Sequence, residues 1–211
     1  MATVLITGCS SGFGRLAAQA FARKGHTVVA TMRTPEKGKD LVQEAETSGL
    51  DLRVVALDVT DEASVRSAVD EAIEAVGPLD VLVNNAGIEL RSSIEEAGDA
   101  EVQAQFDTNV FGLLRVVRAV VPAMRQRRAG VVVNVGSIAG LVARPYGGLY
   151  AASKHAVEAI TEALHYELAP FGVRVAVIEP GQFATDLLSN ALVAANFTEA
   201  SPYWADSERF D

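Results

Sequence analysis

A phenol and an ammonium group lie four positions apart in the stretch YAASK, at Tyr150 and Lys154. Residues i and i+4 share one face of a helix, so the two side chains are expected to point the same way. A phenol has an unperturbed pKa of roughly 10, and a nearby fixed positive charge lowers that pKa. The pair therefore suggests a group that exchanges a proton, although the spacing alone is more often that of a packed Tyr with a solvated Lys.

A glycine-rich stretch, TGCSSGFG at residues 7–14, directly follows the first apolar run. Gly8, Gly12 and Gly14 let the backbone turn tightly and approach a ligand, and the start of a helix presents free N–H groups that suit a pyrophosphate. The spacing is G-x-x-x-G-x-G and not the commoner G-x-G-x-x-G. Its place between a strand and a helix predicts a dinucleotide site.

The end of the second apolar run indicates which dinucleotide is preferred. NAD sites usually place an acid there for the ribose hydroxyls, whereas an Arg accepts the 2′-phosphate of NADP. The sequence reads VVATMRTPEK, with Arg33 about 20 residues after the glycine-rich turn and no acid before Glu36. NADP is therefore expected and NAD is the alternative, in which Arg33 is simply solvated.

Polar residues follow three further apolar runs. Asp58 ends the third run, either as a turn residue or as a contact to an adenine edge, NNAG (residues 84–87) ends the fourth, and Ser137 ends the fifth. Open α/β sheets bind ligands at the carboxyl ends of their strands, so these residues are site candidates. Asn84 is interpreted as tying loops together. Asn109 lies inside a predicted helix, where Asn is unfavourable, so either a solvated face or a special role must explain it.

The composition is that of a globular protein with no affinity for nucleic acid or membranes. Of 211 residues, 49% are apolar and 21% are charged, and the net charge is −9, whereas nucleic-acid binding requires a basic face. No apolar run approaches the about 20 residues that cross a bilayer. The single cysteine, Cys9, forms no internal disulfide and is interpreted as a packing residue, which favours a reducing, cytoplasmic location. No metal site is predicted.

Six short β-branched runs alternate with longer helical patterns. The runs are TVLIT, TVVATM, LRVVALDV, LDVLVNNAG, GVVVNVGS and VRVAVIEPG. Continuous apolar runs are typical of strands that are covered on both faces of a parallel sheet. The order predicts one three-layer α/β domain with a doubly wound parallel sheet, the Rossmann fold. Thr60 is the predicted N-cap of the third helix, one helical region is expected from about Asp99 to Arg128, and another begins near Tyr150.

The tail, residues 182–211, departs from this alternation and has no clear strand. It carries five aromatic residues: Phe183, Phe197, Tyr203, Trp204 and Phe210. Aromatic residues in an irregular segment beside a sheet edge either cover a cavity or pack as part of the core. The composition favours neither interpretation.

Taken together, the motifs resemble those of the short-chain dehydrogenases/reductases. The resemblance extends over residues 3–186, where TGCSSGFG, NNAG, the constellation Ser137-x12-Tyr150-x3-Lys154 and PGQFAT (residues 180–185) occur in the order of the family. Four motifs at the expected edge of the sheet replace the simple packing interpretation of Tyr150 and Lys154 with a functional one.

The resemblance implies a role for each catalytic candidate. Tyr150 would donate a proton to a carbonyl oxygen, or accept one in the reverse direction. Lys154 would hold the nicotinamide ribose and lower the pKa of Tyr150, and Ser137 would stabilise charge on the substrate oxygen. Asn109 would support a water-linked proton relay to the lysine.

The resemblance also implies the contacts of the cofactor. Asp58 would face the adenine, residues 85–87 would border the adenosine side and Thr185 would touch the carboxamide. The implied cofactor-binding residues are Gly8, Ser10, Ser11, Gly12, Phe13, Gly14, Arg33, Asp58, Val59, Asn85, Ala86, Gly87, Tyr150, Lys154, Pro180, Gly181, Phe183 and Thr185.

Residues 1–186 are expected to form the dinucleotide-binding domain with its catalytic residues, and residues 187–211 a lid-like segment of the same domain. The resemblance implies a further helix and a seventh strand, so either this chain is part of a longer protein or its sheet lacks an edge strand. The first is expected, because an uncovered sheet edge is a liability. Helices near residues 101–124 and 150–168 are apolar on more than one side. With the resemblance, this predicts a homodimer or homotetramer.

The expected function is that of an NADP-preferring oxidoreductase that interconverts a ketone or aldehyde with an alcohol. Similarity to the hydroxysteroid and retinol dehydrogenase branch implies a hydrophobic substrate. One alternative is an NAD-dependent alcohol dehydrogenase of the same family, which depends on Arg33. The other is a dinucleotide-sensing protein without chemistry, against which the intact Ser137, Tyr150 and Lys154 argue.

Overall fold

The computed structural model describes residues 1–181, 183 and 191–210. Six strands form the main sheet: β1 (Thr3–Ile6), β2 (Thr27–Met32), β3 (Leu52–Ala56), β4 (Val81–Asn84), β6 (Gly130–Val135) and β7 (Val173–Ile178). They are all parallel, in the spatial order β3-β2-β1-β4-β6-β7. The predicted six-stranded doubly wound fold is confirmed, and the strand order reverses between β1 and β4, where such sheets bind ligands.

A second, two-stranded sheet lies outside the main one. Its strands, β5 (Leu90–Arg91) and β8 (Leu192–Val193), pair in parallel. The sequence predicted no strand in the tail, and that prediction was wrong. A two-residue strand is too short for hydrophobic periodicity to reveal it, because pairing with a distant segment and not local pattern creates it.

Helices cover the main sheet on both sides, which gives the predicted three layers. They are α1 (Gly12–Arg23), α2 (Lys39–Thr47), α3 (Glu62–Val76), α4 (Asp99–Phe106), α5 (Leu113–Arg127), α6 (Gly148–Leu168) and the short α7 (Trp204–Ser207). Leu5 and Leu82 pack with α3, α5 and α6, whereas Val4 and Ile6 pack with α1 and α2. Neighbouring strand residues point to opposite faces, so one continuous apolar run supplies both halves of the core. Cys9 is buried in the second half, as predicted.

Two details of the helices differ from the prediction. The N-cap of α3 is Asp61 and not Thr60, because the Asp61 carboxylate accepts hydrogen bonds from the N–H groups of Ala63 and Ser64. The helical region expected at residues 99–128 is interrupted by a π-helical turn, Asp107–Gly112. Such turns are rare and are frequent at functional sites, and this one contains Asn109.

The apolar helix surface that suggested a partner subunit is mostly covered within the chain. Val110, Leu113, Val116 and Val117 are buried in the core, whereas Phe111 is 52% exposed. The sheet and α3 supply most of this cover. In the part of the chain described, no helix is both long and apolar enough to cross a membrane.

Candidate active site

A cavity of about 390 Å³ opens at the carboxyl ends of the strands of the main sheet. It brings together segments that follow β1, β2, β3, β4, β6 and β7, as expected for a doubly wound sheet. Most of the predicted site residues line it: Gly8, Ser10, Ser11, Gly12, Phe13, Arg33, Asp58, Val59, Asn85, Ala86, Gly87, Ser137, Tyr150, Lys154, Pro180, Gly181 and Phe183. Gly14 and Asn109 lie behind the wall, and Thr185 lies outside the described residues.

The glycine-rich turn after β1 requires glycine for two separate reasons. Gly8 and Gly12 have φ angles of +72° and +54°, in the left-handed region that side chains disfavour. A Cβ on Gly8 would also lie 2.8 Å from Cα of Ala86, and a Cβ on Gly14 would overlap the carbonyl oxygen of Gly8. The glycines therefore let the turn pack directly against the segment that follows β4.

Thr7 and Asn85 hold these two segments together. The hydroxyl of Thr7 accepts hydrogen bonds from the backbone N–H groups of Asn85 and Ala86, each 3.0 Å long. The Asn85 side chain donates in return to the carbonyl oxygens of Thr7 and Gly8, at 2.9 and 3.0 Å. No role was predicted for Thr7 from the sequence, although a hydroxyl residue at the end of the first strand is a signal that could have identified it.

The start of α1 fits a phosphate group. Ser11 occupies the N-cap, but its side chain makes no capping hydrogen bond, and the first turn contains no acidic residue. The free N–H groups and the helix dipole therefore favour an anion at this end of the cavity. Arg33 is exposed at the cavity wall, and no described residue pairs with its guanidinium. These residues fit a dinucleotide that carries an additional phosphate.

The structure shows hydrogen bonds of Asp58 and Asn84 that the sequence did not specify. The carboxylate of Asp58 accepts hydrogen bonds from the N–H and the hydroxyl of Thr60, so Asp58 is a turn residue that also lines the cavity. Asn84 donates to Asn134, which donates to Thr161 on α6. Asn84 therefore ties strands together and not loops. Contact between Asp58 and an adenine stays a prediction.

Ser137, Tyr150 and Lys154 meet beside the end of β6. Ser137 lies two residues beyond this strand, Tyr150 lies in the first turn of α6 and Lys154 in the next turn. The Lys154 ammonium donates a 2.8 Å hydrogen bond to the carbonyl oxygen of Val135 and lies 5.7 Å from the centre of the Tyr150 ring. The i, i+4 spacing thus places the two side chains on one face, as predicted.

The pKa of Tyr150 moves in the direction opposite to the expected one. Burial raises the pKa of Tyr150 to about 12, and a hydrogen bond with Ser137 acts in the opposite direction. Burial lowers the pKa of Lys154 to about 8, against the attraction of Glu158. In the protein alone, burial is the largest influence on this pKa, and the positive charge that opposes it is that of Arg144.

Asn109 connects the loop after β4 with α6. Its side-chain amide donates to the hydroxyl of Ser153, at 3.0 Å, and to the carbonyl oxygen of Ile88, at 2.9 Å. Its side-chain oxygen accepts a hydrogen bond from the N–H of Ile88, at 2.8 Å. The helical position of this buried Asn is explained by these three bonds, and its part in a proton relay stays a prediction.

Two charged residues that the sequence analysis did not single out also line the cavity. They are Glu89, which follows the NNAG motif by two positions, and Arg144 in the loop before α6. An acidic residue immediately after a ligand-binding strand end was the signal that could have identified Glu89. Apolar side chains, among them Ile138 and Val142, form the neighbouring wall and are more than half exposed.

The aromatic residues of the tail have two different surroundings. Phe197 is buried against Tyr146 and Trp204, with ring centres 5.8 and 5.4 Å away, so this part of the tail is a packing segment. Phe183 lines the cavity and contacts the ring of Phe13 edge-on. Among the described residues from 191 to 210, none lines the cavity. The lid role of this segment stays a prediction.

Comparison with known proteins identifies the family. The profile of the family described as short chain dehydrogenase matches residues 2–194. The chain is 40% identical over 204 residues to a protein of Bacteroides thetaiotaomicron named 3-ketodihydrosphingosine reductase. This alignment covers 97% of this chain and 72% of the relative. It is also 40% identical over 201 residues to human retinol dehydrogenase 8, in an alignment that covers 93% of this chain and 64% of the relative.

Solved structures show the same fold. A short-chain dehydrogenase from Streptomyces avermitilis superposes with a TM-score of 0.86 at 38% identity, over 98% of this chain and 75% of that one. Actinorhodin polyketide ketoreductase with NADPH has a TM-score of 0.85 at 29% identity, over 99% of this chain and 75% of the ketoreductase chain. The chain belongs to the short-chain dehydrogenase/reductase family of NAD(P)-dependent oxidoreductases, which act on CH–OH or carbonyl groups. It spans about two thirds to three quarters of the length of these relatives.

Proposed function

We propose that the protein is an NADP-preferring oxidoreductase that interconverts a hydrophobic ketone or aldehyde with the corresponding alcohol. The observation that carries the proposal is that Ser137, Tyr150 and Lys154 line the same cavity as the glycine-rich turn and Arg33. A dinucleotide that extends from Arg33 to Lys154 would bring its nicotinamide to the proton donor. A dinucleotide sensor has no need of such a donor.

When bound, a reduced nicotinamide would supply the hydride to the carbonyl carbon, and the protein would supply the proton and the electrostatic support. Tyr150 gives its phenolic proton to the carbonyl oxygen, whose C=O π bond becomes the new O–H bond. Ser137 donates a hydrogen bond to that oxygen and stabilises the charge that develops on it. Lys154 holds the ribose hydroxyls, and its positive charge stabilises the phenolate until a proton from solvent restores Tyr150. In the alcohol-to-ketone direction the same steps are reversed.

The preference for NADP rests on Arg33. Its guanidinium is exposed at the cavity wall after β2, where a 2′-phosphate would lie, and no described residue pairs with it. Two solved relatives, the polyketide ketoreductase and a gluconate 5-dehydrogenase from Burkholderia cenocepacia, hold NADPH and NADP respectively. A charge-assisted pair between a guanidinium and a phosphate is bidentate and strong, so it discriminates against NADH.

A hydrophobic substrate is supported by apolar side chains in the cavity wall. Ile138, Val142 and Phe183 line the cavity and are all more than half exposed. Apolar surface of this kind contributes about 25 cal/mol per Å² when a ligand removes it from water. The named relatives include a reductase of a keto compound and a dehydrogenase of an alcohol, so the physiological direction is not part of the proposal.

The test is a fluorescence titration of the purified protein with NADPH and, separately, with NADH. NADPH is expected to bind at least tenfold more tightly, which corresponds to about 1.4 kcal/mol. Arg33→Asp should reverse the preference, and Arg53→Asp, on the exposed part of β3, should leave it unchanged. Tighter binding of NADH to the wild type would contradict the cofactor assignment. Binding of neither nucleotide would contradict the function itself.

We also propose that the protein is cytoplasmic and forms a homodimer or homotetramer. The support for self-association is the exposed Phe111 beside the buried face of α5, together with the family relationship. Light scattering after gel filtration should give a particle of two or four chains. A single chain at micromolar concentration would contradict this proposal.

A further inference from the structure

An ion pair with a buried carboxylate forms part of the wall of the cavity that the catalytic residues line. The side chain of Glu89 is 4% exposed, and its Oε1 atom accepts a 2.6 Å hydrogen bond from Nη2 of Arg144. Both residues line the cavity that Tyr150 lines. Burying a carboxylate is unfavourable unless it is paired and fully hydrogen-bonded, so the place of Glu89 in the cavity wall needs an explanation.

The pair leaves one acceptor atom unused. Oε1 of Glu89 is bound by Arg144, but no donor among the described residues reaches Oε2. A carboxylate has about four lone-pair positions and is an acceptor only. The cavity therefore offers an uncommitted, negatively charged acceptor whose own position is fixed by the arginine. A ligand that satisfies it must carry a hydrogen-bond donor.

The backbone on both sides of Glu89 is held rigidly. Ile88 is held by Asn109 through two hydrogen bonds, and the N–H of Leu90 donates to the buried side chain of Gln105, at 2.7 Å. The carbonyl oxygen of Glu89 itself accepts from the N–H of Leu192, at 2.8 Å. A side chain on such a fixed backbone can discriminate between ligands, because a ligand gains its hydrogen bond without ordering the site.

Glu89 and Arg144 also lie close enough to act on the phenol of Tyr150. After burial and the bond with Ser137, the remaining influences on the pKa of Tyr150 are the negative charge of Glu89, which raises it, and the positive charge of Arg144, which lowers it. The acceptor and the proton donor therefore line one cavity, and a single substrate can contact both.

The pair has a structural contact as well, but that contact does not account for the carboxylate. Nη1 of Arg144 donates to the carbonyl oxygen of Phe210 and so fastens the end of the described tail to the body. This bond needs only the guanidinium. Glu89 neutralises Arg144, yet an arginine side chain that is 37% exposed is already solvated in part. The buried position of Glu89 in the cavity wall is therefore better explained by a ligand.

We propose that Glu89 is a specificity-determining residue that accepts a hydrogen bond from a donor group, a hydroxyl or an ammonium, carried by the substrate near its reacting carbon. Arg144 is a positioning residue that fixes the Glu89 carboxylate. The proposal rests on the proposed oxidoreductase function and narrows its substrates to hydroxy or amino ketones and the corresponding diols or amino alcohols. The apolar wall at Ile138 and Val142 then receives the remainder of the molecule.

The experiment compares three ketones of the same chain length: an α-hydroxy ketone, its α-methoxy ether and the unsubstituted ketone. The ether keeps the oxygen but cannot donate a hydrogen bond. With NADPH in excess, the wild type should show a kcat/KM for the hydroxy ketone at least tenfold above that for the ether. An α-amino ketone, assayed below the pKa of its amine and compared with the hydroxy ketone, shows whether an ammonium is preferred to a hydroxyl. Preference for either donor over the ether supports the proposal.

Two double variants test whether the preference for a hydrogen-bond donor depends on Glu89 and Arg144. Glu89→Leu combined with Arg144→Met replaces the ion pair by apolar residues and leaves no unpaired charge, so the fold should persist. The ratio of kcat/KM for hydroxy ketone to ether should fall to about one. The matched control, Glu62→Leu with Arg66→Met, removes an ion pair of the same 2.6 Å length from the exposed face of α3 and should leave all ratios unchanged.

A binding measurement keeps the proposal testable if turnover is slow. In the Tyr150→Phe protein saturated with NADPH, the hydroxy ketone should quench nicotinamide fluorescence at a tenfold lower concentration than the ether. Equal kcat/KM values for the hydroxy ketone and the ether in the wild type would overturn the role of Glu89 alone. A preference for the hydroxy ketone that survives in the Glu89→Leu/Arg144→Met protein would do the same. A wild type that binds neither NADPH nor NADH would instead overturn the proposed function.

Discussion

The ammonium of Lys154 is bonded to the carbonyl oxygen of Val135, across 2.8 Å, and so fastens α6 to the last residue of β6. Because Ser137 lies two residues beyond that strand and Tyr150 one turn before Lys154, this bond joins the two segments that carry the catalytic candidates. The same contact buries the ammonium, which lowers its pKa to about 8. Lys154 therefore positions the catalytic candidates and, because its charged form is buried, also lowers the stability of the folded protein.

Removing the buried charge should therefore change stability in a pH-dependent way. In the unfolded chain Lys154 holds its proton to pH 10.5, whereas in the folded protein it loses that proton near pH 8. Between these values the unfolded state binds more protons, so the stability of the wild type rises with pH. The stability of Lys154→Met relative to the wild type should fall by about 3 kcal/mol from pH 7 to pH 10.5. Urea unfolding at several pH values measures this difference, and a difference independent of pH would contradict it.

Tyr150→Phe removes the phenolic hydroxyl and leaves the ring in place. Proton transfer contributes about 10²–10⁴-fold to rate, so kcat should fall by that factor while the Kd for NADPH stays nearly unchanged. Steady-state kinetics and nucleotide titration separate the two quantities. Tyr166→Phe alters a 69% exposed tyrosine of the same helix and should affect neither. Turnover retained by Tyr150→Phe would contradict the proton-donor role.

Gly14→Ala should weaken cofactor binding through the turn. A Cβ at this position would lie 2.9 Å from the carbonyl carbon of Gly8 and would overlap its oxygen, so the turn must move. The Kd for NADPH is expected to rise at least tenfold, about 1.4 kcal/mol. Gly25→Ala is the control, because Gly25 has a φ of +81° but no atom near its Cβ position. This control should lose about 1–2 kcal/mol of stability through backbone strain and keep its affinity.

Phe197→Ala should loosen the packing of the tail. The ring is fully buried between Tyr146 and Trp204, and removal of a buried Phe side chain typically destabilises by about 3–5 kcal/mol. Trp204 is the single tryptophan of the chain, so its emission reports on this cluster directly. A red-shifted emission and an early unfolding transition are expected. Phe210→Ala, at a 40% exposed position, should give a much smaller effect, and equal effects would argue against the packing role.

The sequence by itself determined the six strands of the main sheet and the positions of the catalytic and glycine-rich motifs. These features depend on local patterns: apolar runs form strands, glycines permit the turn after β1, and the spacing of Tyr150 and Lys154 follows from helix geometry. The profile match over residues 2–194 confirms the family, whereas the residue roles that the resemblance added stay predictions.

Only the tertiary structure decided the features that depend on contact between distant segments. The pairing of β5 with β8 joins residues near 90 and 192, and Glu89 meets Arg144 across 55 positions of the chain. The high pKa of Tyr150 follows from burial, which no local pattern specifies. The choice of Asp61 over Thr60 as the cap of α3 depended on Asp58, whose carboxylate binds Thr60. In each case the favoured conformation or protonation state of a side chain or segment depends on the groups that the folded protein packs against it.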